Sequence, residues 1–195
     1  MLVAGLTATP AWAALSVQVL DSAGLPVANA VVYAEPATGA GPAKAPKQAE
    51  VEQKDTKFFP LVTVVQTGTP ILFPNHDKVR HQVYSFSPAK TFELKLYSGV
   101  PGNPILFDKA GTVVLGCNIH DQMVAYIQVV NTPFFGVTDR QGMVTLDGMG
   151  NGKYTLKAWY FKMAQNEPAQ EQALTYQGGE AKASLKLNVK AVPVQ

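Results

Sequence analysis

Between residues 15 and 20 the apolar side chains fall on every second position, Leu15, Val17 and Val19 alternating with Ser16 and Gln18. Period-two alternation marks a strand with one buried face. A second strand is expected over 28–33, with Asp21 to Pro26 turning between the two to give an N-terminal hairpin, because Gly24 and Pro26 are turn formers. Residues 34–57 are rich in Ala, Pro, Gly and Lys without any period, and predict a linker or long loop. The β pattern resumes at Phe58. Residues 61–66 are β-branched and break at Gly68-Thr69-Pro70, and Ile71-Leu72-Phe73 follows. His81, Val83 and Ser85 alternate with Gln82, Tyr84 and Phe86; Val113, Leu115 and Cys117 share one face of a later strand. Further strands are expected over 124–130, 143–146 and 154–160, with a turn over 137–142. At the end of the chain Leu185, Leu187 and Val189 alternate with Lys186 and Asn188. No segment has a helical period and none repeats. The pattern predicts an all-β chain of short strands, closed as a sandwich or barrel.

At 195 residues the chain has material for one large β domain or two small ones. A formal charge of +2 with no basic run gives nucleic-acid binding no electrostatic support. No apolar stretch reaches the roughly 18 residues of a membrane span. Residues 1–13 are small and apolar and end in Ala11-Trp12-Ala13 after Pro10, which has the look of the end of a secretory signal, although the positive leading region is missing. The mature chain is then expected to begin near Ala14 or Leu15 in a bacterial periplasm. A single cysteine allows no internal disulfide. A lone thiol in an oxidising compartment is a liability unless it is buried or metal-bound.

That cysteine opens the segment Cys117-Asn118-Ile119-His120-Asp121-Gln122-Met123. Thiolate, imidazole and thioether together favour copper over hard-oxygen metals, and the spacing lets one tight loop wrap a single ion. A His₂Cys plane with a weak axial Met needs a second imidazole, and His76 and His81 lie upstream. His81 begins an alternating strand and is the better held, whereas His76 sits between Asn75 and Asp77 in an expected polar turn. Gln122 keeps an oxygen ligand in play beside Met123, and Asp77 and Asp121 read as solvated loop charges. Lys78 and Arg80 put a small positive edge near the site. Zinc is the rival metal, but a thioether is a poor zinc ligand and no acid is placed as a general base. A Cys–His nucleophile pair lacks an orienting third group.

From Phe58 to Val130 the chain resembles the cupredoxins, the small blue-copper Greek-key sandwiches. The resemblance is carried by Phe73-x-Asn75-x-Asp77, His81-x-Val83, and Ala110-Gly111-Thr112 leading into Cys117-x-x-His120-x-x-Met123. The ligand-loop spacing is similar to that of amicyanin and shorter than that of plastocyanin. The resemblance implies one Cu(I)/Cu(II) ion held by His81, Cys117, His120 and Met123. It also implies an electron-transfer protein rather than an enzyme, with His120 as the electron port. The implied partner is a periplasmic redox protein such as a c-type cytochrome or an oxidoreductase. Gln82, Asn118 and Ile119 depart from the family pattern, which commonly has Asn after the first His and Ser or Thr then Pro inside the loop.

The flanks resemble a different fold. Val17-x-Val19-x-Asp21-x-x-Gly24-x-Pro26-Val27 and the later Thr138-Asp139-x-x-Gly142 and Gly152-x-Tyr154-x-Leu156 resemble the carboxypeptidase-regulatory-like, or transthyretin-like, β domains. The whole arrangement is similar to plastocyanin-like chains carrying a methylamine-utilisation label, which names no mechanism. The expected organisation is a signal remnant at 1–13, a hairpin and linker at 14–57, a Greek-key copper unit at 58–132, and β segments at 133–195 pairing with 15–33, so that the copper unit is inserted in or fused to a second small β-sandwich; a single sandwich with extra edge strands is the equal alternative. Two other classes fit the same residues: a periplasmic copper carrier or sensor without fast electron exchange, and a metal-free β-sandwich binding module.

Overall fold

The computed structural model describes residues 14–39, 46–164 and 167–191, so the expected signal remnant at 1–13 lies outside the described residues. The described residues begin with β1 (Ala14–Leu20) and β2 (Ala30–Pro36). Short strands follow: β3 (Ala49–Glu50), β4 (Glu52–Lys54), β5 (Lys57–Phe59), β6 (Val62–Gln66) and β7 (Thr69–Leu72). Then come β8 (His81–Ser87), β9 (Lys90–Tyr97), β10 (Ile105–Phe107), β11 (Gly111–Gly116) and β12 (Val124–Val130). The last are β13 (Phe135–Val137), β14 (Met143–Asp147), β15 (Gly152–Tyr160), β16 (Gln170–Tyr176) and β17 (Glu180–Lys186). No helix forms among the described residues, and the all-β sandwich class read from the sequence is the one observed.

Two cores divide the strands. Sheet β14-β1-β17 and sheet β13-β2-β15-β16 enclose Leu15, Val17, Val19, Val32, Leu156 and Leu185. The alternation of β1 explains its place there, since every second side chain is fully buried. Sheet β6-β12-β11-β8-β9 and sheet β10-β7-β3 enclose a second core of Phe73, Phe107, Val113, Leu115, Cys117 and Ile127. Chain neighbours β9, β10 and β11 alternate between these two sheets, the crossing habit of a Greek key. A small cluster of Val31, Tyr33, Val62, Val130 and Trp159 joins the two bodies. It accounts for β2 being buried on both faces: Ala30, Val32 and Ala34 turn into the first core, and Val31 and Tyr33 meet the second body.

Two expectations are corrected here. β1 and β2 do not pair as a hairpin; β1 lies antiparallel to β14 and parallel to β17, while β2 lies between β13 and β15. The turn itself is present, with the Asp21 carboxylate accepting the N–H groups of Ala23 and Leu25, but it carries the chain from one sheet to the other. The stretch expected as a linker is structured in its second half. β3 adds parallel to β7, Val51 is fully buried, and β4 pairs with β5. Three short strands whose segment holds three irregularly spaced buried side chains, Val51, Gln53 and Phe58, leave no period to detect.

Candidate metal centre

β11 delivers Cys117 to the second core because Val113, Leu115 and Cys117 point inward. β11 and β12 pair up to Gly116 opposite Val124, so Cys117 to Met123 bridges the two strand ends in two successive turns. The second turn closes with the Met123 N–H donating to the His120 carbonyl at 2.9 Å. Gly116 is a packing requirement: a Cβ there would come within 2.7 Å of the Tyr84 ring on β8. β8 thereby lies close against β11 and starts at His81, one strand away from the cysteine.

His81 is fully buried, Cys117 and Met123 nearly so, and His120 is half-buried. One ring nitrogen of His81, one of His120 and the Cys117 Sγ all lie within 4.8 Å of one another. The His81 Nδ1 stands 4.0 Å from the Sγ, and the two imidazole rings meet edge to face at 5.0 Å. The buried Nδ1 of His120 has no hydrogen-bond partner. A polar atom buried without a partner costs free energy, and a bound metal ion would satisfy it. Two ligand atoms each about 2.0–2.3 Å from one ion sit roughly 3.5–4 Å apart, close to the spacing present. Soft sulfur plus two imidazoles is a donor set suited to copper.

His81 is oriented from behind by Asp77. The ring Nε2 is 2.7 Å from Asp77 Oδ2, and because an ionised carboxylate only accepts, Nε2 carries the proton and Nδ1 presents its lone pair toward Cys117. Asp77 Oδ1 accepts the N–H of Asp55 at 2.7 Å, and Oδ2 that of Thr56 at 3.0 Å. Burial works against the charge, but the Thr56 N–H, the His81 ring and the Asp55 N–H together hold the carboxyl below its ordinary value of 3.8. Asn75, buried, steadies the same loop by donating to the carbonyls of Val79 and Tyr97 and accepting from the Asp77 N–H. Burial pushes the Tyr97 phenol up to about 12, so it stays neutral and donates to the Phe73 carbonyl beneath the loop.

The other candidates separate cleanly. His76 is half exposed and bonds Glu52 at 3.0 Å, outside the His–Cys–His group. Gln122 and Asp121 are exposed, whereas Met123 is buried in the core that holds Cys117. Asp77 is not the solvated loop charge expected of it. The Asn75-x-Asp77 spacing four residues ahead of His81 was its signal, and its meaning depends on a turn, Asp55-Thr56, inside a stretch without pattern. Gln82 reaches Glu93 on β9 at 2.6 Å, beside a register slip between β8 and β9.

No protein-family model matches the chain, and no curated protein matches its sequence. Solved structures similar in fold are cupredoxins. A copper-containing nitrite reductase from Thermus scotoductus is 24% identical, over 49% of this chain and 25% of that one, with a TM-score of 0.41. A purple cupredoxin from Nitrosopumilus maritimus is 19% identical over 43% of this chain and 100% of its own, with a TM-score of 0.38. A reduced amicyanin variant is 16% identical over 50% of this chain and 99% of its own, with a TM-score of 0.39. The chain thus spans about a quarter of the nitrite reductase. Identities and scores this low assign no residue, and the case for a metal rests on the side chains themselves.

Proposed function

We propose that this chain is an exported type 1 copper protein that passes single electrons between redox partners. The observation that carries the reading is the convergence of His81 Nδ1, a His120 ring nitrogen and Cys117 Sγ within 4.8 Å, largely buried. Copper, when bound, supplies the one-electron Cu(I)/Cu(II) couple. Cys117 would provide the strong thiolate donor, His81 and His120 the two imidazole donors, and the buried Met123 a weak thioether donor. The core around Cys117 excludes water and holds the donors before the metal arrives, which keeps rearrangement on electron exchange small. His120 is the half-buried member, flanked by the exposed Ile119, and Val79 and Val100 also expose apolar side chains on the neighbouring loops. That surface suits brief docking of a periplasmic redox protein such as a c-type cytochrome or an oxidoreductase. We read residues 58–132, with the short strands from 49 on, as a copper unit inserted into the flanking sandwich.

Loading the purified protein with Cu(II) tests the reading. An intense visible thiolate-to-copper band, lost in Cys117→Ser, is the expected result. Wild-type protein without that band would overturn the copper assignment. Stopped-flow reduction by a c-type cytochrome then decides the role: bound copper that exchanges electrons only very slowly identifies a carrier.

A further inference from the structure

We propose that Asp77 is a positioning residue of this centre, a carboxylate clamped by the β4–β5 turn that fixes the His81 ring and strengthens it as a donor to Cu(II). The proposal rests on the copper reading and deepens it. Three donors converge on the one carboxylate: the His81 Nε2 at 2.7 Å and the backbone N–H groups of Asp55 and Thr56 at 2.7 and 3.0 Å. Both turn residues have positive φ, 53° and 55°, as the tight two-residue hairpin between Lys54 and Lys57 requires, and both N–H groups face Asp77. From its own side the Asp77 backbone is held by Asn75 Oδ1 at 2.9 Å. The side chain is 13% exposed and the His81 side chain is fully buried, so water competes little for the contact.

Two consequences follow from that geometry. A ring whose Nε2–H is fixed to an acceptor has one tautomer and one orientation, with Nδ1 directed at the Cys117 Sγ. A full negative charge behind the imidazole also raises its basicity, which favours the more highly charged Cu(II) over Cu(I) and lowers the reduction potential. A backbone carbonyl in the same place would fix the tautomer without the charge. An Asp77 that merely capped the β4–β5 turn would do neither.

The two arms of the test are separate. In metal-free wild-type protein at neutral pH, nitrogen-15 NMR of the histidine rings is expected to show His81 as a single Nε2–H tautomer. An Nδ1–H tautomer or an even mixture overturns the proposal, and this arm needs no variant that folds. In copper-loaded protein, Asp77→Asn keeps the shape and a hydrogen-bond acceptor but removes the charge. The Cu(II)-to-Cu(I) affinity ratio is expected to fall at least tenfold, a rise in potential of about 59 mV for one electron. An Asp77→Asn protein that shows the visible band at an unmoved potential overturns the role of Asp77 and leaves the copper reading intact. Wild-type protein without the band overturns the copper reading itself, and the potential effect with it.

Discussion

Met123 is 1% exposed, and leucine nearly matches its volume, so Met123→Leu separates packing from ligation. Volume-conserving core swaps cost less than about 1.5 kcal/mol, and urea unfolding of the metal-free variant is expected to stay within that. The copper form is expected to keep its visible band, because the thiolate remains, while its potential rises with loss of the weak axial donor. A band that disappears with stability unchanged would overturn the assignment of Met123 as a weak donor only. The convergence of His81, Cys117 and His120 was legible in the sequence because Cys117 and His120 lie within one loop and His81 falls on an inward strand position. Asp77 was not, since its role is set by backbone N–H groups of Asp55 and Thr56, which have no side-chain signature. His81 over His76 could be chosen from alternation alone because ligands on strands point where the strand points.

At the scale of elements, the loop leaving β1 ties both ends of the flanking sandwich to one carboxylate. Asp21 accepts N–H groups of Leu25 and Ala23 on Oδ1 and of Ala191 on Oδ2. The Leu25 N–H first, and then that of Ala191, hold the Asp21 carboxyl below its ordinary 3.8. A carboxyl whose folded pKa lies below its unfolded one adds stability that is fully present above 3.8 and is lost as pH falls through the depressed folded value. Asp21→Asn is therefore expected to be less stable than wild type at pH 7, with the difference shrinking only below pH 3.8, read as urea midpoints across pH. A difference that stayed constant down to strong acid would show that the hydrogen-bond geometry matters and the charge does not. Strands with one clean buried face, β1 and β11, could be read from their pattern. β16 could not, because its outward position leaves only Tyr176 fully buried along Gln170–Tyr176. The β3–β5 segment escaped for the opposite reason, being short strands whose buried side chains are too few to form a period.

For the whole molecule, the decisive feature is that, among the described residues, the two cores are separate and meet at the cluster of Val31, Tyr33, Val62, Val130 and Trp159, with Tyr126 and Phe161 packed against it. β1 pairs with β14 and β17 around the first core, and every candidate ligand sits in or beside the second. A joint that small couples two bodies weakly, so they are expected to unfold in two calorimetric transitions rather than one. On the copper reading, the candidate donors all belong to one of them. Ligand held by the native state alone stabilises by about 4.1 kcal/mol at a thousandfold excess over Kd. At roughly 4–8 °C per kcal/mol for a unit of this size, copper is expected to lift one transition by well over 10 °C. The other should stay where it was. Cys117→Ser should abolish the lift, measured against that variant's own copper-free scan, because a buried hydroxyl in place of the thiol can shift the baseline. If both transitions rose together, the Trp159 cluster would couple the bodies into one cooperative unit, and copper binding would then stabilise the flanking sandwich through that contact.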